Sequence, residues 1–446
     1  MSAAARPAAS ASAAGASHSA AGASHSAAGA SHSAGTSRSA AGASRAAGEV
    51  PRLDPAALAG AARAAGRIGL DTEFMSEGRY RALLCLVGVA VPDPAGSGTP
   101  LVELIDPLAG GLDPAPLAGV LADPEIEVVV HAGRQDVALL RRVWGTELRG
   151  IFDTQVAAGF AGFGAQTGYG GLLADALGLR VAKSASFTRW DVRPLTPEQV
   201  AYAREDVAHL LPLADALRRR LVTSGRLEWA LEECRRLEGA SDERDPDTAY
   251  QRLPRVASLG PAARAIAREL AAWRERTASA EDRPVGTVLA DAPLVEVAKR
   301  RPVGLPGLEK IRGIQPSTLR RRGDAILAAV ARGLAADPLP AENGERLDST
   351  HADVPVIALA EALVRARALD AGLAYELVAG RADLAQIVAA ARRAGMPEPA
   401  VRTLQGWRRD LVGAELLDLL AGRRSLAVDP AGRVVISTRA GMDGGR

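Results

Sequence analysis

Hydrophobic and polar positions between residues 67 and 160 come in short blocks that predict a layered α/β fold. Four blocks are short and apolar, as expected for strands: RIGLDTEF, ALLCLVGVAV, LVELI and EVVVHA. PAPLAGVLADP and RQDVALLRRVWG place apolar residues at helical spacing, and GIFDT reads as a further short strand. Strands that alternate with helices along a chain favour a sheet covered by helices.

From residue 154 to about 238 the helical period dominates, and TPEQVAYAREDVAHL is its clearest segment. Thr196 suits the N-cap of this helix. Its apolar stripe consists of four residues at helical spacing, which are Val200, Ala203, Val207 and Leu210. Tyr202 and Asp206 are four residues apart, so they share one helix face at the edge of this stripe.

Changes in composition predict where the chain divides. The segments predicted, in order, are a disordered Ala/Ser/Gly-rich tail (1–48), an α/β unit (50–238), a linker (239–254), a helical block (255–335), a second linker (336–351), a second helical block (352–425) and a C-terminal tail (426–446). The first tail repeats SAAGASH and has almost nothing large and apolar to bury. The linkers are charged and contain proline.

Composition narrows the class of protein only a little. Hydrophobic residues make up 48% of the 446, enough for packed cores, yet no apolar run approaches the roughly 18 residues of a membrane span. We therefore expect no membrane partner, and nothing in the sequence identifies a protein partner. Cys85 and Cys234 read as buried free thiols in a reducing compartment, so we expect a cytoplasmic protein.

The distribution of charge is more informative than the net value of +2. Residues 255–335 carry 15 Lys and Arg against 8 Asp and Glu, a net charge of +7, whereas residues 52–254 come to −6. An acidic segment joined to a basic one fits a metal-binding unit beside a unit that binds a polyanion. The runs Lys299, Arg300, Arg301 and Arg320, Arg321, Arg322 fall in the basic block and are either such a surface or simply a solvated face.

Four acidic residues stand where strands and helices of the α/β unit would bring them together. Asp71 and Glu73 are two residues apart on an apolar strand, so they share one face. Asp136 falls in the first turn of a helix after a buried strand, and Asp206 lies on the last helix of the unit. Carboxylates from separated segments can hold two hard cations roughly 4 Å apart, an arrangement suited to phosphoryl chemistry. Tyr202 could then hydrogen-bond the attacking water; with an ordinary pKa of about 10 it is an orienting group rather than a strong base.

The stretches DTEF, HAGRQD and YAREDV resemble the three exonuclease motifs of the DEDD superfamily, in the branch with tyrosine in the third motif. KSASFTRWDVRPLTPEQVAYAREDV resembles the hallmark of the ribonuclease D family. LAAWRERTASAEDRPVGTVLADAPLVEVAKRRP resembles the helicase-and-RNase-D C-terminal (HRDC) domain, and residues 352–425 resemble a diverged second copy. The resemblance covers roughly residues 50 to 425.

This resemblance implies a ribonuclease-H-like fold, a mixed sheet flanked by helices, followed by two small all-α HRDC-type domains. It implies a 3′-to-5′ exoribonuclease that releases nucleoside 5′-monophosphates with two Mg²⁺ or Mn²⁺ ions, on substrates that include structured RNA precursors such as transfer RNA 3′ ends. Carried over residue by residue, the metal ligands are Asp71, Glu73, Asp136 and Asp206, and Tyr202 positions the water.

Other residues keep two interpretations open. Lys183, Arg189, Trp190 and Arg193 either approach the phosphate backbone or lock their loop to the core. His131 either contacts substrate or ends a buried strand structurally, whereas Asp153 is expected to cap a helix and Trp273 and Trp407 to anchor cores. Of these, Lys183 and Arg193, with Lys299, Arg300 and Arg301, are the candidate nucleic-acid contacts.

One departure from the family pattern bears on substrate contacts. The strand after DTEF usually reads close to LCLIQIA in relatives, and here it has Gly88 where glutamine is common. The preceding MSEGRYRA has one tyrosine where relatives often have an aromatic pair. The acids are unaffected, but a DNA exonuclease and a non-catalytic nucleic-acid scaffold stay open as alternatives.

Overall fold

The structure, a computed structural model, describes residues 54–164, 166–181, 189–340, 350–393 and 396–438. Its centre is a five-stranded sheet in the order β3-β2-β1-β4-β5. The strands are β1 (Arg67–Met75), β2 (Leu83–Val91), β3 (Leu101–Ile105), β4 (Glu127–Val130) and β5 (Ile151–Asp153). β2 is antiparallel to both β1 and β3, whereas β4 and β5 run parallel to β1. The five strands predicted from the hydrophobic pattern are confirmed, and so is the mixed sheet that the family resemblance implies.

Helices cover both faces of this sheet. One face packs against α1 (Pro55–Ala65), α2 (Ala115–Leu121) and α3 (Arg134–Trp144). The other packs against α4 (Thr154–Phe160), α5 (Tyr169–Leu177), α6 (Pro197–Ala208), α7 (Leu210–Thr223) and α8 (Leu227–Arg235). Because both faces are covered, the interior strand β2 is apolar at nearly every position and reads as a continuous run. The two cysteines are free and buried, as the sequence predicts.

The first helical block has its own core. It comprises α9 (Pro261–Ala280), α10 (Val285–Val288), α11 (Asp291–Arg300), α12 (Leu305–Glu309) and α13 (Pro316–Ala335). The two long helices α9 and α13 cross closely at Gly333, where an added Cβ would lie 2.4 Å from the Cα of Ile266. The predicted linker 239–254 is not simply a tether: Tyr250 and Leu253 are buried in this core.

The second helical block begins with the element order of the first, a long helix, a single turn and a helix of about ten residues, and ends in a helical stretch over 406–420 that a π-helical turn interrupts. Its members are α14 (Val354–Asp370), α15 (Tyr375–Val378), α16 (Arg381–Ala391), α17 (Gly406–Arg408), a π-helical turn (Arg409–Gly413) and α18 (Ala414–Leu420). This block shares a core with the sheet domain. Trp407 stacks on Trp229 of α8 at a centroid distance of 5.2 Å and meets Phe160 of α4 edge-on at 5.1 Å.

The end of the chain differs from the sequence-based prediction. The tail expected over 426–446 is, for most of its described length, a hairpin of β6 (Arg424–Val428) and β7 (Val434–Thr438). Its residues are exposed or only partly buried, so the hairpin lacks the alternation of buried and exposed positions by which a sequence reveals a strand. No helix in the described part of the chain is long and apolar enough to span a membrane.

Candidate metal site

Strand β1 presents two acids to the helices above it. Asp71 and Glu73 alternate with Thr72 along the strand, so both point to the face covered by α6 and α7. One carboxylate oxygen from each, together with one from Asp206 of α6, lies within 4.8 Å of the other two. Three acids that are distant in sequence therefore converge at one point, half-buried above the central strand.

Local features of the chain fix the helix that supplies Asp206. The Thr196 hydroxyl accepts from the backbone N–H of Gln199, and the Gln199 side chain accepts from the N–H of Thr196, a complete capping box. Tyr202, one turn before Asp206, hydrogen-bonds its carboxylate. Behind the phenol lies Trp190, 3% exposed, with its ring 6.1 Å from that of Tyr202.

Gly88 allows α6 to approach the sheet closely. It pairs with Asp71 across the β1–β2 ladder. A Cβ added at Gly88 would lie 2.9 Å from Cγ1 of Val207 and 3.3 Å from the carbonyl oxygen of Ala203. These are the helix positions on either side of Asp206, so the glycine permits the contact that places this acid over β1.

Asp136 approaches the site from the opposite side of the sheet. It lies in the first turn of α3, and its carboxylate accepts a hydrogen bond from the Thr72 hydroxyl. Asp153 holds the preceding loop: its carboxylate accepts from the N–H groups of Ala132 and Gly133 at 3.1 and 2.9 Å, and also caps α4 as predicted. Asp136 is not one of the three acids that meet within 4.8 Å, but its charge acts on Asp71 and Glu73.

The carboxyl groups of Asp71, Glu73 and Asp206 have raised pKa values. Burial raises the pKa of Glu73 to about 8, with the charges of Asp206 and Asp136 adding to the effect. Burial and the neighbouring acids also raise the pKa of Asp71 well above its ordinary value, and burial raises that of Asp206 to about 6. Burial, then the charge of Asp206, raises the pKa of the Tyr202 phenol, so it carries its proton.

These carboxylates have no positive partner among the described residues, since none of them forms an ion pair with a described Lys, Arg or His. Hard oxygen donors that converge without a counter-charge are the donor set that divalent cations such as Mg²⁺ or Mn²⁺ require. A bound cation would also remove the mutual repulsion that raises the pKa of each acid. The residues present therefore fit a divalent metal site.

The candidate nucleic-acid contacts lie elsewhere or have other partners. Arg193 donates to both carboxylate oxygens of Asp106 at 2.6 and 2.7 Å and to the carbonyl of Cys85 at 2.7 Å, so it locks its loop to the sheet. Lys183 falls outside the described residues. Lys299, Arg300 and Arg301 are exposed at the end of α11, where Arg300 also pairs with Glu296.

The run Arg320–Arg322 is not one continuous solvated face. Arg322 is 7% exposed and forms an ion pair with Glu281 at 2.7 Å. Trp407 is buried and Trp273 packs against the core of the first helical block, as predicted for both.

Two aromatic residues near the acids carry weaker sequence signals. The Nδ1 of His131 lies 2.9 Å from the hydroxyl of Thr154, which itself donates to the carbonyl of Val130. Nδ1 is therefore the protonated nitrogen, and burial lowers the pKa of the ring. The ring centroid of Tyr169, at the start of α5, lies 5.3 Å from that of His131. Burial, and then the charge of Asp206, raises the pKa of the Tyr169 hydroxyl. No spacing relation connects Tyr169 to the three motifs, so the sequence alone does not single it out.

Comparison with known proteins agrees with this geometry. Residues 53–222 match the model of the 3′-5′ exonuclease family, and residues 263–330 match that of the HRDC domain. A five-stranded mixed sheet with converging acids, followed by an HRDC domain, defines a 3′-5′ exonuclease that uses divalent metal.

Full-length relatives identify the family. The Ribonuclease D of Gluconacetobacter diazotrophicus is 37% identical over 370 residues, covering 81% of this chain and 89% of the relative. That of Granulibacter bethesdensis is 36% identical over 384 residues, covering 84% and 93%. The crystal structure of Escherichia coli RNase D, described as an exoribonuclease involved in structured RNA processing, has a TM-score of 0.73 at 30% identity and covers 82% of this chain and 96% of that one. The chain belongs to the ribonuclease D family and is a 3′-5′ exoribonuclease.

Proposed function

We propose that Asp71, Glu73 and Asp206 hold one divalent cation, Mg²⁺ or Mn²⁺, and that Asp136 with Asp71 holds a second. The observation that carries this is the convergence of three carboxylates within 4.8 Å, with the charge of the fourth acting on the same oxygens. Cations at such sites lower the pKa of an attacking water and stabilise the leaving oxygen. The chain itself supplies the ligands and the buried pocket that keeps them aligned.

Tyr202 is proposed to orient the attacking water rather than to take its proton. Its phenol remains protonated because burial and the charge of Asp206 both oppose ionisation. It can therefore donate one hydrogen bond and accept another, which fixes direction without acting as a base. Its contact with Asp206 supports this role, because the same carboxylate would coordinate the metal.

The substrate proposed is the 3′ end of a structured RNA, with precursors of transfer RNA as the class of choice. The relative from Escherichia coli is described as acting in structured RNA processing. The first three elements of the second helical block match those of the HRDC domain in order and approximate length, which supports a diverged second HRDC-like domain at 352–425. Two such modules beside the catalytic sheet suit an RNA with a folded body and a single-stranded end.

The test uses the whole chain and RNA labelled at either end. With Mn²⁺ present, 5′-labelled RNA should shorten stepwise from its 3′ end, and 3′-labelled RNA should release labelled mononucleotide at once. Internal fragments, or a requirement for DNA over matched RNA, would contradict the proposal. Titration calorimetry of Mn²⁺ into wild type and Asp136→Asn separates the two cations: wild type should bind two ions and the variant one.

A further inference from the structure

A cavity opens between the β1–β2 loop, helix α3 and the segment 241–244. Its volume is about 390 Å³, many times the roughly 30 Å³ that a water molecule occupies in the liquid. The loop is tied to the first helical block by Tyr80, whose hydroxyl donates to Glu275 at 2.7 Å and whose backbone N–H donates to Asp282 at 3.1 Å. Arg79 adds an ion pair to Asp282 at 2.8 Å. The loop that forms one wall of the cavity is therefore anchored to the first helical block.

Arginines without carboxylate partners line this cavity. Arg81, Arg134 and Arg244 all contribute to the wall, and none has an ion pair among the described residues. The Nε of Arg81 is buried without a hydrogen-bond partner. The one acid in the wall, Asp242, is already neutralised by Arg142, whose Nε donates to both its oxygens at 3.1 and 2.8 Å.

Three unpaired guanidinium groups around one cavity favour an anion there. Like charges held close together repel, and a partly enclosed site weakens the screening by water. A guanidinium presents planar donors that match phosphate oxygens in pairs. The ring of Tyr80 lies between two of them, 5.2 Å from the guanidinium of Arg244 and 5.9 Å from that of Arg81, which holds them at the wall.

Two residues of the cavity wall are sequence neighbours of candidate metal ligands. The wall includes Phe74, the residue after Glu73, and Gln135, the residue before Asp136. Consecutive Cα atoms are about 3.8 Å apart, so the wall begins one residue from two of the candidate ligands. An RNA held at those acids passes this wall if its next phosphates follow the side of β1 that carries α3, where Asp136 also lies.

We propose that this cavity binds a backbone phosphate of the RNA a few nucleotides 5′ of the scissile bond, an inference that rests on the proposed exoribonuclease function. Arg134 and Arg244 contact the phosphate, and Arg81 supplies charge from the buried side. The contact holds the departing strand on the side of the β1–β2 loop. The contact would also make binding depend on RNA length, because an RNA shortened to its last few nucleotides no longer reaches the cavity.

The test measures binding in an Asp206→Asn background, so that the RNA stays intact. Fluorescence anisotropy of a labelled single-stranded RNA of about eight nucleotides is followed across a range of NaCl concentrations. Each phosphate contact on a single strand contributes about 0.7 to the slope of log affinity against log salt. Because both arginines are proposed to contact the same phosphate, adding Arg134→Ala and Arg244→Ala together should lower that slope by roughly 0.7 and weaken binding at 0.1 M salt on the order of tenfold.

The matched control is Arg219→Ala in the same background, because Arg219 is an exposed arginine of α7 outside the cavity. Arg219→Ala removes one charge, whereas the pocket variant removes two. The double change Arg219→Ala/Arg220→Ala is therefore added, so that the loss of binding from charge removal alone is measured for one and for two arginines. Arg244→Lys should recover part of the slope because it restores a point charge. A loss in the control equal to that in the pocket variant, or an unchanged slope in the pocket variant, would overturn the inference.

RNA length and activity separate this inference from the proposed function. The fold-loss should grow as the RNA lengthens from two to eight nucleotides, since a dinucleotide cannot reach the cavity. A circular dichroism melt checks that the variants fold. If the wild-type chain shortens RNA from its 3′ end while the pocket variants bind normally, only the pocket inference fails. If the wild type does not cut RNA, the proposed function fails whatever the pocket does.

Discussion

At the scale of single residues, the acids near β1 are needed for catalysis but lower the stability of the metal-free protein. Each raised carboxyl pKa means that the ionised form is disfavoured in the folded, metal-free chain. Asp206→Asn should therefore abolish metal-dependent RNA cleavage while it raises the melting temperature of the metal-free protein at pH 8. A gain of a few degrees is expected, because about 1 kcal/mol moves the midpoint of a domain of this size by roughly 2–4 °C. Differential scanning fluorimetry in EDTA measures it, and a lower midpoint would contradict the crowding of charge described here.

The pKa of Glu73 predicts the pH dependence of the metal-free protein. Its folded value of about 8 exceeds the ordinary 4.5, so the folded state binds more protons than the unfolded state between those values. The stability of the folded state is therefore greatest below about pH 4.5 for this group alone and is lost as the pH rises towards 8. Mn²⁺ should stabilise the chain more at pH 8 than at pH 6, because it replaces the proton. Equal stabilisation at both values, measured by melts with and without Mn²⁺, would argue against the acids as ligands.

Gly88 is a third residue with a measurable role. Gly88→Ala should push α6 away from β1, costing about 1–3 kcal/mol of stability and weakening Mn²⁺ binding, because its Cβ would meet Val207 at 2.9 Å. Gly60→Ala on α1 is the control, since that glycine has open space around it and the change should be neutral or slightly stabilising. Gly88 therefore has a packing role of its own, since the absence of a side chain leaves room for Val207 of α6. Unchanged Mn²⁺ affinity in Gly88→Ala would show that the helix position does not depend on it.

At the scale of elements, the segment before α6 is fixed by one side chain. Arg193→Ala should destabilise the fold on the order of 2–3 kcal/mol, because its charged hydrogen bonds to Asp106 and to the Cys85 carbonyl would be lost. Chemical denaturation measures this, and Arg189→Ala, which removes an exposed arginine of the same loop, should cost little. If the two variants lose equal stability, Arg193 is not the lock.

The strands and the acid-bearing helices could be predicted because they depend on local patterns. Period-two and apolar runs gave all five strands, and the cap at Thr196 with Pro197 marked the start of α6. The sequence left two interpretations of Arg193 open, phosphate contact or a lock on its loop, because its partner Asp106 is 87 residues away and no local pattern reports such a pair. The helix α1 was also not evident, since its buried face is mostly alanine.

The same limit applies to the site. The motifs predicted which acids matter, and DTEF with YAREDV specified three of them by spacing on a strand and a helix. Asp136 lies outside the group of three acids that meet above β1 and accepts a hydrogen bond from Thr72 instead. Its position depends on how α3 packs beside β1. That packing is set by Asp153 and its four backbone hydrogen bonds, which are visible only once two distant loops are seen together.

At the scale of the whole molecule, the second helical block is part of the sheet domain's core rather than an appendage. Trp407→Ala should cost about 3–5 kcal/mol, because this residue is 2% exposed and contacts both Trp229 and Phe160. A chain ended after residue 340 should melt at a lower temperature and bind a hydrophobic dye, since it would expose apolar surface on α4, α7 and α8. The exposed Val303→Ala is the control for Trp407→Ala. A truncated chain as stable as the full one would refute the shared core.

The convergence of acids above β1 has a consequence for the lifetime of the protein. When a bound ion is needed to offset the repulsion among these carboxylates, the folded state is less stable if that ion is scarce. The protein then unfolds more often, and proteases cleave the unfolded form. Starvation for divalent ions should therefore shorten the half-life of the enzyme as well as slow it. Abundance would then follow metal supply, and a substitution that relieves the pocket would uncouple the two.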